Sequence, residues 1–157
     1  MSESSGKTKV LFLCTGNSAR SHMGEALLRH YAGEYFEVHS AGLEPKGLNP
    51  YTIRVMTELG IDMSSHRSKD VTEYLGKTSF GYLIIVCGHA EENCPTTFLG
   101  AAQRISWPFD DPAAVIGTDE EILAKFRAVR DQMDERIRTW LAGQGIAMKE
   151  VSAENHR

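Results

Sequence analysis

Cysteine is scarce in this 157-residue chain: there are three, an odd number and too few for a disulfide scaffold at this length. Long apolar runs are missing as well. The longest, residues 10–13 and 82–86, fall far short of the ~20 residues that cross a bilayer, so no membrane role is expected. No charged-then-apolar leader opens the chain, which makes the cytoplasm the expected compartment. Positive charge is not in excess either. A net charge of −4 leaves no basic stripe for nucleic acid, so any anion site has to be local, built from a few side chains and backbone dipoles. There is no internal repeat, no low-complexity block and no dividing linker. With 41% apolar and 24% charged residues, the composition suits one core, expected over residues 8–145, with 1–7 and 146–157 as flexible tails.

What is present is an alternation of apolar runs and amphipathic periods. Val10-Leu11-Phe12-Leu13 is unbroken, as expected of a strand covered on both faces, and Tyr82-Leu83-Ile84-Ile85-Val86 reads the same way. Residues 36–41 alternate like a half-exposed edge strand, and residues 104–107 suggest a short fourth. Helical spacing runs over residues 21–31. Asn49-Pro50 caps a second helix with Ile53, Met56 and Leu59 as its buried stripe and Gly60 to end it. A shorter helix is expected around residues 69–75. The box Thr118-x-x-Glu121 opens a last helix whose apolar face is Ile122, Phe126, Val129, Met133, Ile137, Trp140 and Leu141, stopped by Gly143. This pattern predicts a single α/β domain around a parallel sheet. In such sheets ligands sit beyond the carboxyl ends of the strands, where Cys14 and Cys87 both fall.

The first of these ends continues as Cys14-Thr15-Gly16-Asn17-Ser18-Ala19-Arg20-Ser21, between a buried strand and a helix. Small residues let successive N–H groups converge on an anion, and the helix N-terminus adds its dipole. Arg20 supplies a planar fork suited to tetrahedral oxyanions. The same positive field favours a thiolate at Cys14, with Ser21 or Ser18 able to stabilise the sulfur. A second segment, Trp107-Pro108-Phe109-Asp110-Asp111-Pro112, offers two carboxyls on a proline-restricted loop, suited to a general acid. A third runs from Cys87 to Cys94, before Pro95. Were it helical, the two Cα atoms would stand about 10 Å apart along the axis, beyond disulfide reach, so joining them requires the segment to rearrange. Two blander readings stay open for it: a buried strand-end cysteine with an incidental loop thiol, or a Cys87–His89–Cys94 metal site that lacks an evident fourth ligand.

Residues 10–25 resemble the active-site loop of the low-molecular-weight protein tyrosine phosphatases and of the arsenate reductases built on that fold. The resemblance runs from about residue 9 to 140 and implies a four-stranded parallel sheet flanked by helices. It implies that Cys14 is the nucleophile, that residues 15–21 bind the oxyanion with Arg20, and that Asp111 is the general acid, with Asp110 as fallback. The sequence around Cys87 and Cys94 resembles the thioredoxin-coupled reductases. There a nucleophile and two further thiols pass a disulfide along, which implies the order Cys14, Cys87, Cys94, with arsenate or a phosphate-like oxyanion as substrate, thioredoxin as reductant and no cofactor. The alternative within the superfamily is a tyrosine phosphatase with a phosphocysteine at Cys14. Ala113-Ala114 lacks the aromatic residues often found there in those phosphatases.

Two departures stand out. Some of these reductases bind potassium beside the loop, and Asn17, Glu25 and Ser40 match ligand positions of that site. The remaining acidic position is Lys69, whose ammonium would repel the ion. Ala19 stands where many of the reductases carry another cysteine. The six histidines show no metal-ligand spacing.

Overall fold

In the computed structural model, residues 6–14, 16, 19–74, 78–87, 101–146 and 148 are described, Cys87 by its backbone alone. Four strands form one parallel sheet in the order β2-β1-β3-β4, with β1 at Thr8–Cys14, β2 at Phe36–Gly42, β3 at Phe80–Cys87 and β4 at Ala101–Phe109. The α-helices among the described residues are α1 (Arg20–Ala32), α2 (Pro50–Thr57) and α3 (Asp119–Gly143). Every side chain from Val10 to Leu13 is buried, because β1 is a central strand with packing on both faces. The β2 edge strand instead alternates, with Phe36 and Val38 buried and Glu37 and His39 half-buried.

Close contact between α1 and β1 depends on Gly24, where a Cβ would lie 2.5 Å from the ring of Phe12. That contact draws the start of α1 toward the end of β1. Asn49 caps α2 by accepting the Tyr51 N–H at 2.8 Å, and Gly60 takes φ +79° after the helix ends. The α3 capping box is complete: Thr118 Oγ1 accepts from the Glu121 N–H, and Glu121 accepts from the Thr118 N–H.

Three expectations need correction. Ile53 is not in the buried stripe of α2 but 40% exposed; Thr52, Val55 and Met56 face the core instead. The helix expected at residues 69–75 is a single 3₁₀ turn, Val71–Glu73, because Asp70 caps it and Gly42 forms a bridge with Asp70, tying that residue to the sheet. β4 is longer than residues 104–107. α3 ends at Gly143, where the sequence stops it, with Gln144 as the C-cap and Gly145 at φ +74° beyond.

Candidate active site

The parallel register brings chemistry to one edge of the sheet. β1 and β3 pair in parallel as far as Leu13↔Ile85, and the two strands end at Cys14 and Cys87, so both cysteine positions fall at the same edge of adjacent strands. Next to Cys87 on the other side is Phe109, the last residue of β4, across an irregularity in register between Ile85 and Cys87.

Cys14 is buried, 2% exposed, with its Sγ 3.0 Å from the Ser21 hydroxyl. A hydroxyl donating to sulfur stabilises the thiolate over the thiol. Arg20 opens α1 with Ala19 at the N-cap; among the described residues no side chain caps that helix, and no acidic residue occupies its first turn. The positive dipole end of such a terminus is an anion-binding feature. Arg20 is itself 6% exposed; it donates from Nη1 to the Phe109 carbonyl at 3.0 Å and places Nη2 3.5 Å from Asp111 Oδ2. One guanidinium thus ties the strand end that carries Cys14 to the loop that carries the carboxyls.

The two carboxyls of that loop are held differently. Asp110 is paired with Lys125 of α3 at 2.8 Å, and that hydrogen bond, with the charge behind it, lowers its pKa. Asp111 points toward Arg20 while its Oδ1 accepts the Ala113 N–H at 3.0 Å, starting the turn Pro112–Ala114. The strand end before them is braced by Arg136, whose guanidinium lies over the rings of Trp107 and Phe109.

Thr15, Asn17, Ser18 and Cys94 lie outside the described residues, as does His89. The carbonyl of Gly16 is gripped twice, by the Lys46 N–H at 2.9 Å and the Ser68 hydroxyl at 3.3 Å. Nothing in the sequence singled out Ser68; it is 52 residues from Gly16, and only the fold brings the two together.

Beneath the loop, Glu25 is buried among polar groups. Ser40 donates to its Oε1 and Arg29 to its Oε2, each at 2.5 Å, and the Lys69 ammonium stands 4.0 Å from Oε1. Burial alone would raise this carboxyl, but His22, Lys69, Ser40 and Arg29 together hold it far below the usual carboxylate range. The Nδ1 atoms of His22 and His66 are 3.0 Å apart and 3.6 and 3.5 Å from Glu25 Oε1. Such a triangle has metal-ligand dimensions. It does not fit a cation, because Lys69 and Arg29 already neutralise the carboxylate and a further positive charge would meet both. The potassium site suggested by Asn17, Glu25 and Ser40 fails on the same ground: the Ser40 hydroxyl points its proton at Glu25, and Lys69 supplies the positive charge.

A profile of the low molecular weight phosphotyrosine protein phosphatase family matches residues 9–156. This chain belongs to that family. Within it, the chain is 43% identical over 134 residues to an arsenate reductase from Halalkalibacterium halodurans, covering 85% of this chain and 95% of the relative. Among solved structures it superposes on an arsenate reductase in a phosphate-binding state with a TM-score of 0.73, at 31% identity, over 87% of this chain and 98% of the other. It also resembles a thioredoxin-dependent arsenate reductase from Corynebacterium glutamicum, with a TM-score of 0.65 at 29% identity, over 89% of this chain and 63% of that one. No helix among the described residues is long and apolar enough to cross a membrane.

Proposed function

We propose that this protein is an arsenate reductase that works by a three-cysteine relay and takes its electrons from thioredoxin. Arsenate binds in the loop of residues 14–21, held by amides and Arg20. The Cys14 thiolate attacks arsenic, and the As–O bond opposite breaks as Asp111 hands its proton to the departing oxygen. Arsenic is still As(V) in that adduct. The Cys87 thiolate then attacks the Cys14 sulfur; the S–As bonding pair stays on arsenic, which leaves as arsenite, and a Cys14–Cys87 disulfide remains. Two thiols have supplied the two electrons. Attack by the Cys94 thiolate on Cys87 frees Cys14 and leaves a Cys87–Cys94 disulfide, which the dithiol of thioredoxin reduces.

The observation that supports this reading best is that the neighbouring parallel strands β1 and β3 end at Cys14 and Cys87, at one edge of the sheet. An enzyme that only hydrolysed phosphate esters would need Cys14, Arg20 and an acid, and would have no use for a second cysteine at that strand end. The names of the similar proteins point the same way.

The test is Cys87→Ser assayed with two substrates. Multiple-turnover arsenate reduction should vanish while slow hydrolysis of an aryl phosphate persists, since the loop and acid are intact. Undiminished arsenate reduction by the variant overturns the relay. Efficient turnover of phosphotyrosine peptides, with no arsenate-dependent consumption of thioredoxin, replaces it with the phosphatase alternative.

A further inference from the structure

Lys69 has no part in the chemistry above, yet it is 8% exposed, an unusual place for an ammonium. Burial pushes its pKa down, and the Glu25 carboxylate beside it works in the opposite direction. Its Nζ donates to the Arg67 carbonyl at 3.1 Å, so the side chain folds back on its own segment. That segment is anchored twice more. The Lys69 carbonyl accepts the Gly42 N–H at 2.8 Å, at the end of β2, and Ser68 donates to the carbonyl of Gly16.

These contacts form a chain from α1 to the loop. Glu25 of α1 faces the Lys69 ammonium; Lys69 is fixed to the end of β2; and the residue before it holds Gly16. The grips from Lys46 and Ser68 hold the Gly16 carbonyl on protein donors, which keeps that acceptor from facing an anion, and amides rather than carbonyls are what an oxyanion reads.

We propose that Lys69 is a positioning residue for oxyanion binding: a tethered cation whose pairing with Glu25 seats residues 67–70, so that Ser68 keeps the loop in its anion-receptive shape. An ammonium carried by the chain cannot dissociate, so the seat is charged at every salt composition. The inference rests on residues 14–21 being the oxyanion site.

The experiment uses the full chain with Lys69→Met, Lys69→Arg and Ser68→Ala. Affinity for inorganic phosphate is read as protection of Cys14 from iodoacetamide, followed by mass spectrometry of the Cys14 peptide, beside arsenate KM and kcat and thermal midpoints. Lys69→Met should weaken phosphate binding and raise the arsenate KM by about ten-fold, the order of one lost charge-assisted hydrogen bond, with kcat within about three-fold. Lys69→Arg should return both to within about three-fold of the parent. Ser68→Ala should weaken phosphate about three- to ten-fold at an unchanged thermal midpoint. Unchanged phosphate affinity in Ser68→Ala overturns the proposal, including the case where Lys69→Met does not fold. So does an affinity loss in the lysine variants that only tracks their thermal midpoints and is not rescued by arginine. Protection of Cys14 by phosphate needs no arsenate turnover. A parent protein that binds phosphate but reduces no arsenate sinks the reductase reading and leaves this test intact.

Discussion

Arg20 donates to the carbonyl of Phe109, the residue paired in the sheet with Cys87, at 3.0 Å. One side chain therefore spans the three strand ends on which the proposed chemistry depends, from β1 through α1 to β4, with β3 between. It also explains why a buried arginine is tolerated here: the Phe109 carbonyl accepts from its guanidinium and the Asp111 side chain stands 3.5 Å away.

The two aspartates should separate cleanly. Asp111→Asn keeps the turn geometry and removes the proton, so kcat for aryl phosphate hydrolysis and for arsenate reduction should fall about 10²- to 10⁴-fold. Asp110→Asn breaks only an exposed pair with Lys125 and should leave both within about three-fold. Steady-state kinetics decides, and equal losses in the two variants would remove Asp111 from the acid role.

Acid should destabilise the protein in two stages. The His66 pKa is pushed down from 6.5 to about 4, first by burial and then by His22, Arg29 and Lys69, with Glu25 opposing. The unfolded chain therefore binds the proton first, so the stability from neutral His66 is full above pH 6.5 and is lost as pH falls toward 4. Discounted for solvent screening, that is about 1–2 kcal/mol. Glu25 follows: its depressed carboxyl stabilises the fold above the ordinary value of 4.5 and loses that contribution as pH drops below it. Denaturant midpoints between pH 4 and 7 should decline with acid, and His66→Gln should flatten the part above pH 4.5.

Potassium should be without effect. With Lys69 standing at Glu25, replacing potassium chloride by choline chloride at equal ionic strength should change arsenate kcat/KM less than about two-fold. A saturable potassium activation would show that the ammonium leaves its place.

Much of the fold was legible because its signals are local. The apolar runs at Val10 and Tyr82 announce buried strands, Asn49-Pro50 and Thr118-x-x-Glu121 announce helix starts, and strand ends in a parallel sheet announce the edge where Cys14 belongs. The misreadings occur where tertiary contacts outvote a local pattern. Ile53 has helical spacing but faces outward because α2 is short and presents Val55 and Met56 to the core. Residues 69–75 have helical composition, yet the bridge between Gly42 and Asp70 holds that stretch against the sheet. Ser68 could not have been found from sequence at all, since a serine in a polar stretch has no signature until a distant carbonyl meets it. Lys69 was visible as a departure from the reductases, and its burial against Glu25 gives that departure a physical role.

The most direct measurement is mass spectrometric mapping of disulfides after a single arsenate turnover in Cys94→Ser, quenched by acid and alkylation. The expected species is a Cys14–Cys87 disulfide, formed with one equivalent of arsenite, in a protein that cannot turn over again. Arsenite released with Cys87 still alkylated as a free thiol would mean that the second electron-donating sulfur lies elsewhere, and the relay would fall.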